Sequence, residues 1–274
     1  MNKPIVISIV NAKGGVGKTA STLNIGAALA LQGFKTLLID IDLQANLTHS
    51  LMGDLDSEAP TIAEALIDET GLESMILKTS TENLFLVPAG VTLVGVDINL
   101  AGAIGRERIL ESCINKTEGI GEFDFVLIDN PPYMSLATIN SLVASQFYVI
   151  PTSCDYLPSI GIRLLNENIR KIQSRLNPGL ELLGVLLTMY DRREAITEQV
   201  ESVIRGEFGP IVFKDPIRIN TKFRSSPVEH KTIHEFDPKG KGSDDYMSTT
   251  HDLLERLRSR GLIEKPRLRA VAND

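Results

Sequence analysis

Apolar positions in this chain of 274 residues fall into two alternating patterns. Short, continuous apolar runs occur at Ile5 to Val10, Thr36 to Ile41, Leu84 to Val87, Phe125 to Ile128, Phe147 to Ile150 and Leu182 to Thr188. Strands of that kind have both faces covered, as in a parallel sheet between two layers of helices. Between them, Lys18 to Leu31, Leu100 to Asn115, Ile160 to Leu176 and Glu194 to Arg205 carry apolar residues at helical spacing. The alternation predicts right-handed βαβ crossovers and an α/β fold, a doubly wound, mostly parallel sheet flanked by helices on both faces. Such sheets bind ligands beyond the carboxyl ends of their strands, so the residues after each run are where chemistry is sought.

Toward the C-terminus the pattern weakens. Lys214 to Tyr246 holds Pro216, Pro227, Pro238 and the run Pro238 to Asp245, which predicts a long surface loop. A last helix is expected over Asp244 to Arg260, giving one domain over 1–260 and a basic tail over 261–274. Leu253, Leu254 and Leu257 are expected to dock that helix on the core, the other reading being an amphipathic membrane helix.

Composition narrows the class. A 43% hydrophobic content with Gly 21 and Pro 13 is ordinary for a globular chain. At this size folding buries roughly 70–75% of the unfolded surface, with no need for disulfides or metals. Cys113 and Cys154 therefore read as core residues. No apolar run approaches the ~20 residues of a membrane span, and the N-terminus lacks a signal-peptide layout, so a cytoplasmic location is expected. Lys+Arg 28 against Asp+Glu 35 gives a net charge of −7, which argues against coating nucleic acid by bulk charge and leaves a local patch open.

After the first strand, Ala12 to Thr19 fits the phosphate-loop pattern G-x-x-x-x-G-K-[ST] once its first glycine is relaxed to Ala12. Glycines let backbone N–H groups surround phosphate oxygens, Lys18 reaches the terminal phosphates, and the Thr19 hydroxyl ligates Mg²⁺. The nucleotide-binding candidates are Lys13, Gly14, Gly15, Val16, Gly17, Lys18, Thr19 and Ala20. Lys13 has no necessary role in holding phosphate within one subunit. Lys13 to Thr19 resembles the deviant Walker A loop of the ParA/MinD ATPases, whose extra lysine reaches the partner subunit's nucleotide. That resemblance implies ATP, Mg²⁺ and a nucleotide-dependent homodimer.

Asp40 to Thr48 resembles the D-x-D-P-Q-x-N-x-T segment of ParA proteins, with Leu43 and Ala45 in place of Pro and Gly. Asp40 and Asp42 lie two apart, so they share one face of the strand unless it ends between them. By the resemblance, Asp42 orients the attacking water and Asp40 lies nearer Mg²⁺, so Lys13, Lys18 and Asp42 are the catalytic candidates. Phe125 to Pro132 ends a strand in Asp129, as a Walker B segment does, which adds Asp129 to Thr19 and Asp40 as metal candidates. Asn130 departs from the family's D-[TC]-P-P and is expected to alter hydrogen bonding around the γ-phosphate.

The resemblance further implies adenine walls at Met189, Pro216 and Ile217. It places Asn220 to Pro227 beside the family's R-N-x-R-L-S-E-A-P segment, with Lys222 at the second basic position. Arg218, Lys222 and Arg224 are then DNA-binding candidates, making salt-sensitive, sequence-independent phosphate contacts. Arg256, Arg258, Arg260, Lys265, Arg267 and Arg269 form a second basic stretch, read either as further DNA contacts or as a solvated helix end and tail. His230 and His234 lack the glutamate of a zinc-protease helix, and no zinc is expected. With few residues before the first strand, no N-terminal helix-turn-helix domain is expected. The expected function is an ATPase that dimerises with ATP, binds non-specific DNA and is released when a ParB-like or cargo-adaptor partner stimulates hydrolysis. The alternative is a MinD-like ATPase that binds membrane.

Overall fold

The structure is a computed structural model and describes residues 3–56, 58–154 and 158–263. Each long apolar run becomes a strand: β1 (Ile5–Ile9), β2 (Thr36–Asp40), β4 (Leu84–Val87), β5 (Phe125–Asp129), β6 (Phe147–Ser153) and β7 (Glu181–Thr188). A two-residue strand that the pattern did not announce, β3 (Leu77–Lys78), joins the edge. The strand order is β3-β4-β2-β5-β1-β6-β7, and every pairing is parallel except β3 with β4. Alternate residues feed opposite layers: Phe125 and Leu127 pack in one core, Val126 and Ile128 in another.

The helices are α1 (Lys18–Leu31), α2 (Asn46–Met52), α3 (Ile62–Asp68), α4 (Val96–Asn99), α5 (Ile109–Lys116), α6 (Leu136–Ala144), α7 (Pro158–Arg175), α8 (Ala195–Phe208), α9 (Lys222–Ser225), α10 (Ile233–Phe236) and α11 (Lys241–Ser259). α1 lies so close to the sheet that a Cβ at Gly26 would sit 2.5 Å from Leu38 Cδ2. The helix expected over Leu100 to Asn115 is cut to α5, because Gly102 falls in a turn and Gly105 takes a left-handed φ of 72°. Among the short helices missed, α3 does carry a sequence signal, the capping box of Thr61 and Glu64.

The stretch read as a long surface loop is corrected. A second capping box, Thr232 with Glu235, starts α10, and α11 begins at Lys241 inside the Gly-Lys-Gly run. His234, buried there, donates Nε2–H to the Asn24 carbonyl (3.1 Å), and its Nδ1 is hydrogen-bonded with Ser243 Oγ (2.7 Å). His230 Nδ1 lies 3.0 Å from the His49 carbonyl. No group of three His, Cys, Asp or Glu side chains among the described residues is placed to hold a metal alone.

Leu253, Leu254 and Leu257 are fully buried in the core, so the face of α11 that would insert into a bilayer is already covered. No helix among the described residues is long and apolar enough to cross a membrane. The second basic stretch divides. Arg256 is a structural residue: its guanidinium binds Asp252 (2.9 Å) and the carbonyls of Leu183 (2.8 Å), Ile211 (2.6 Å) and Val212 (3.0 Å), 4.2 Å from the Phe213 ring centroid. Arg256→Ala leaves Asp252 and three carbonyls without these donors, so it should cost on the order of 3 kcal/mol, a fall of roughly 5–10 °C in Tm by thermal unfolding. Lys265, Arg267 and Arg269 lie outside the described residues.

Candidate active site

A cavity of about 590 Å³ opens at the carboxyl ends of the central strands. The loop between β1 and α1 forms its floor, where Gly15 and Gly17 take left-handed φ values of 73° and 81° that side chains resist. Thr188, at the end of β7, donates its hydroxyl to the Val16 carbonyl (2.9 Å) and clips the loop to the sheet. Gly14, Gly15, Gly17, Lys18, Thr19 and Ala20 line the cavity, whereas the Val16 side chain is buried beneath it. Lys18 Nζ donates to the Lys13 carbonyl (3.0 Å). Burial lowers the Lys18 pKa, against the opposing pull of Asp129 and Asp42.

Lys13 stands just outside the cavity lining. Asn11 fixes it, donating Nδ2 to the Pro151 carbonyl (2.7 Å) and accepting the Lys13 N–H (3.0 Å). The Lys13 side chain is exposed, with Nζ 3.4 Å from Ser153 Oγ.

Strand β2 ends at Asp40, which resolves the question of which way its two acids face. Asp40 turns inward, accepting from Asp42 N–H (3.1 Å), Thr48 N–H (2.9 Å) and the Thr48 hydroxyl (2.8 Å). Both of its oxygens are thus used to hold the turn into α2, a task distinct from the metal contact expected of it. Asp42 lines the cavity, with Oδ1 accepting from Gln44 N–H (3.0 Å) and no described donor to Oδ2. Ala45, in place of the glycine of the resembled segment, is left-handed at φ 50°, the conformation in which glycine is free of strain.

Asp129 lies beside Asp40 in register across β2 and β5. Thr22 Oγ1 donates to its Oδ1 (3.3 Å), and its Oδ2 is buried without a partner; the neighbouring Thr19 hydroxyl favours its charged form. Burial first, then the neighbouring Asp40, pushes the Asp129 pKa up to about 8, and burial raises Asp40 to about 6. An orphaned carboxylate oxygen next to a threonine hydroxyl fits a hard divalent cation that keeps most of its waters.

Asn130 is fully buried and donates Nδ2 to the Ile9 (3.2 Å) and Ile128 (3.1 Å) carbonyls, tying β5 to β1, while its Oδ1 is buried without a partner. Two expectations are corrected. Ile217 is buried in the core and Pro216 lines a separate depression, because the 215–219 backbone bonds alongside β7. Of the expected adenine walls only Met189 lines the cavity, together with Phe223 and Pro227, which were legible in the quoted segment but given no role. The proposed basic cluster also splits. Arg218 grips the Asp245 carboxylate and Lys222 Nζ pairs with Asp237 (2.6 Å), both on an outer depression of about 800 Å³. That depression also holds Arg192, Arg193, Lys239 and Lys241, four cations the sequence reading left without a role. Arg224 lines the phosphate-loop cavity instead.

Comparison with known proteins agrees with this geometry. A family model described as an AAA domain matches residues 5–182. The chromosome partitioning protein ParA of Caulobacter vibrioides is 34% identical over 93% of this chain and 96% of its own. The chromosome-partitioning ATPase Soj of Treponema pallidum is 34% identical over 93% of this chain and 98% of its own. A cobyrinic acid a,c-diamide synthase structure from Mycobacterium smegmatis, with bound ATP analogue and magnesium, superposes with a TM-score of 0.83 at 32% identity. That superposition covers 94% of this chain and 96% of the other. A phosphate loop carrying a second lysine, the acids after β2 and β5, and relatives matched almost end to end lead to one assignment: the chain belongs to the ParA/Soj family of partition ATPases.

Proposed function

We propose that this protein is a positioning ATPase that binds ATP with Mg²⁺ at the phosphate loop, dimerises in that state and holds non-specific DNA. A ParB-like or cargo-adaptor partner then stimulates hydrolysis and releases it. The observation that carries the reading is the convergence of Lys18, Thr19 and Asp42 on one cavity, with the orphaned Asp129 oxygen buried behind them and Lys13 anchored at the rim. Lys18 meets the terminal phosphates, Thr19 and Asp129 hold the cation, and Asp42 orients water. Mg²⁺ supplies charge neutralisation at the β- and γ-phosphates. Lys13, on the exposed rim, contributes its charge to the partner copy's nucleotide.

DNA contact falls to the outer depression, where Arg192, Arg193, Lys239 and Lys241 surround Lys222. One such patch on a chain of net charge −7 is weak, but an ATP-bound dimer presents two, and paired sites gain by multivalency. Co-sedimentation with non-specific duplex DNA tests this, run without nucleotide, with ADP and with ATP at two salt concentrations, beside anionic liposomes. Binding to DNA with ATP alone, weakened steeply by salt, is the expected result. Binding to liposomes in place of DNA, or DNA binding indifferent to nucleotide, overturns it.

A further inference from the structure

The inference concerns Arg224 and rests on the nucleotide reading of the cavity. The single turn of α9 divides two spaces. Lys222 and Arg224 are two residues apart, which on a helical turn places them roughly 200° round from each other. Lys222 accordingly faces the outer depression and Arg224 the phosphate-loop cavity. The turn is held in place from behind: Phe223 stacks edge-on against Tyr246 at 5.5 Å, and the Tyr246 hydroxyl is 3.3 Å from Ser21 Oγ on α1. Arg224 therefore projects from a supported wall into the cavity that Lys18 and Thr19 also line.

Its neighbours are already engaged. Arg218 is held by Asp245 and Lys222 by Asp237. Arg224 is exposed, and among the described residues its guanidinium has no hydrogen-bond or ion-pair partner. In the R-N-x-R-L-S-E-A-P segment that this stretch resembles, Lys222 takes the second basic position and Pro227 the final proline. Arg224 then falls on the serine and Ser225 on the glutamate, so this chain gains a cation and lacks an anion at the cavity mouth.

We infer that Arg224 is a nucleotide-holding residue whose guanidinium binds the polyphosphate from the α9 wall of the cavity, and is not part of the DNA surface. A guanidinium presents a rigid fork of donors matched to phosphate oxygens, which a lysine at the same place offers only as a point charge. The contact is to groups that ADP and ATP share, so it raises affinity for both.

The test is titration of fluorescent ADP and ATP, with Mg²⁺ and without DNA, into the wild type, Arg224→Ala, Arg224→Lys and the control Lys171→Ala. Lys171 is an exposed cation on α7, far along the chain from the site, and controls for loss of one positive charge. Arg224→Ala should weaken both nucleotides roughly 10- to 100-fold, the scale of a charge-assisted hydrogen bond, with Arg224→Lys between it and the wild type. Its Tm without nucleotide should match the wild type, which separates a ligand contact from a structural one. Wild-type affinity retained within twofold in Arg224→Ala overturns the inference and leaves the nucleotide site standing. Failure of the wild type itself to bind either nucleotide overturns both.

Discussion

Asp42→Ala should bind ATP and dimerise but turn over more slowly by roughly 10²- to 10⁴-fold, the range for loss of a group that positions or deprotonates the attacking water. The structure explains why the loss should be confined to turnover. Asp42 shares the turn with Asp40, yet it is Asp40 whose two oxygens hold the backbone of Asp42 and Thr48. Removing the Asp42 carboxylate gives up one acceptor, the bond from Gln44 N–H, and leaves the turn pinned. Its second oxygen has no described protein donor and borders the cavity, the arrangement expected of a group that meets water. Phosphate release in single-turnover conditions, with light scattering on the same sample, measures both properties. Wild-type turnover would remove Asp42 from the mechanism, and loss of the dimer would give it a structural role.

Lys13→Ala should abolish ATP-dependent dimers while keeping nucleotide affinity within several-fold of wild type. Lys13 does not line the cavity of its own chain, and in the proposed function its charge acts on the partner copy's nucleotide. Asn11 fixes the backbone of Lys13 from behind, and Lys18 draws on the Lys13 carbonyl, which any residue supplies. Truncating the side chain thus keeps these backbone bonds of the loop and removes the ammonium together with its contact to Ser153. Placing the change in the Asp42→Ala background keeps ATP intact while light scattering is read at a concentration where Asp42→Ala alone is dimeric. A dimer that survives rejects the role.

The parts of the fold visible in the sequence are those whose burial is complete. β2, β5 and β6 are covered on both faces and appear as unbroken apolar runs, and α1 was placed at its observed bounds because a phosphate-loop lysine fixes its start. α2 and α6 are short and mix buried hydroxyls and amides with apolar residues, so their periodicity is blurred. The region after β7 misled because proline and glycine punctuate compact turns as readily as loops, and its order comes from contacts distant in sequence, such as His234 with Asn24.

At the site, residues tied to backbone geometry were legible and those tied to facing were not. Lys18, Thr19 and Asp129 follow from a strand, a turn and a helix. Arg218, Lys222 and Arg224 look equivalent on the page, and only the turn of α9 with the acids Asp245 and Asp237 separates them. Ile217 failed as an adenine wall because the backbone beside β7 buries it, a pairing with no local signal.

The wall made by α9 is one helical turn thick, with Arg224 on one side and Lys222 on the other. Filling one compartment and filling the other are then two loads on the same partition. Linkage makes their influence equal in both directions: whatever factor a nucleotide adds to affinity in the outer depression, an occupant of that depression adds to affinity for the nucleotide. If ATP favours DNA in the outer depression, DNA held there would tighten the grip on ATP by the same factor.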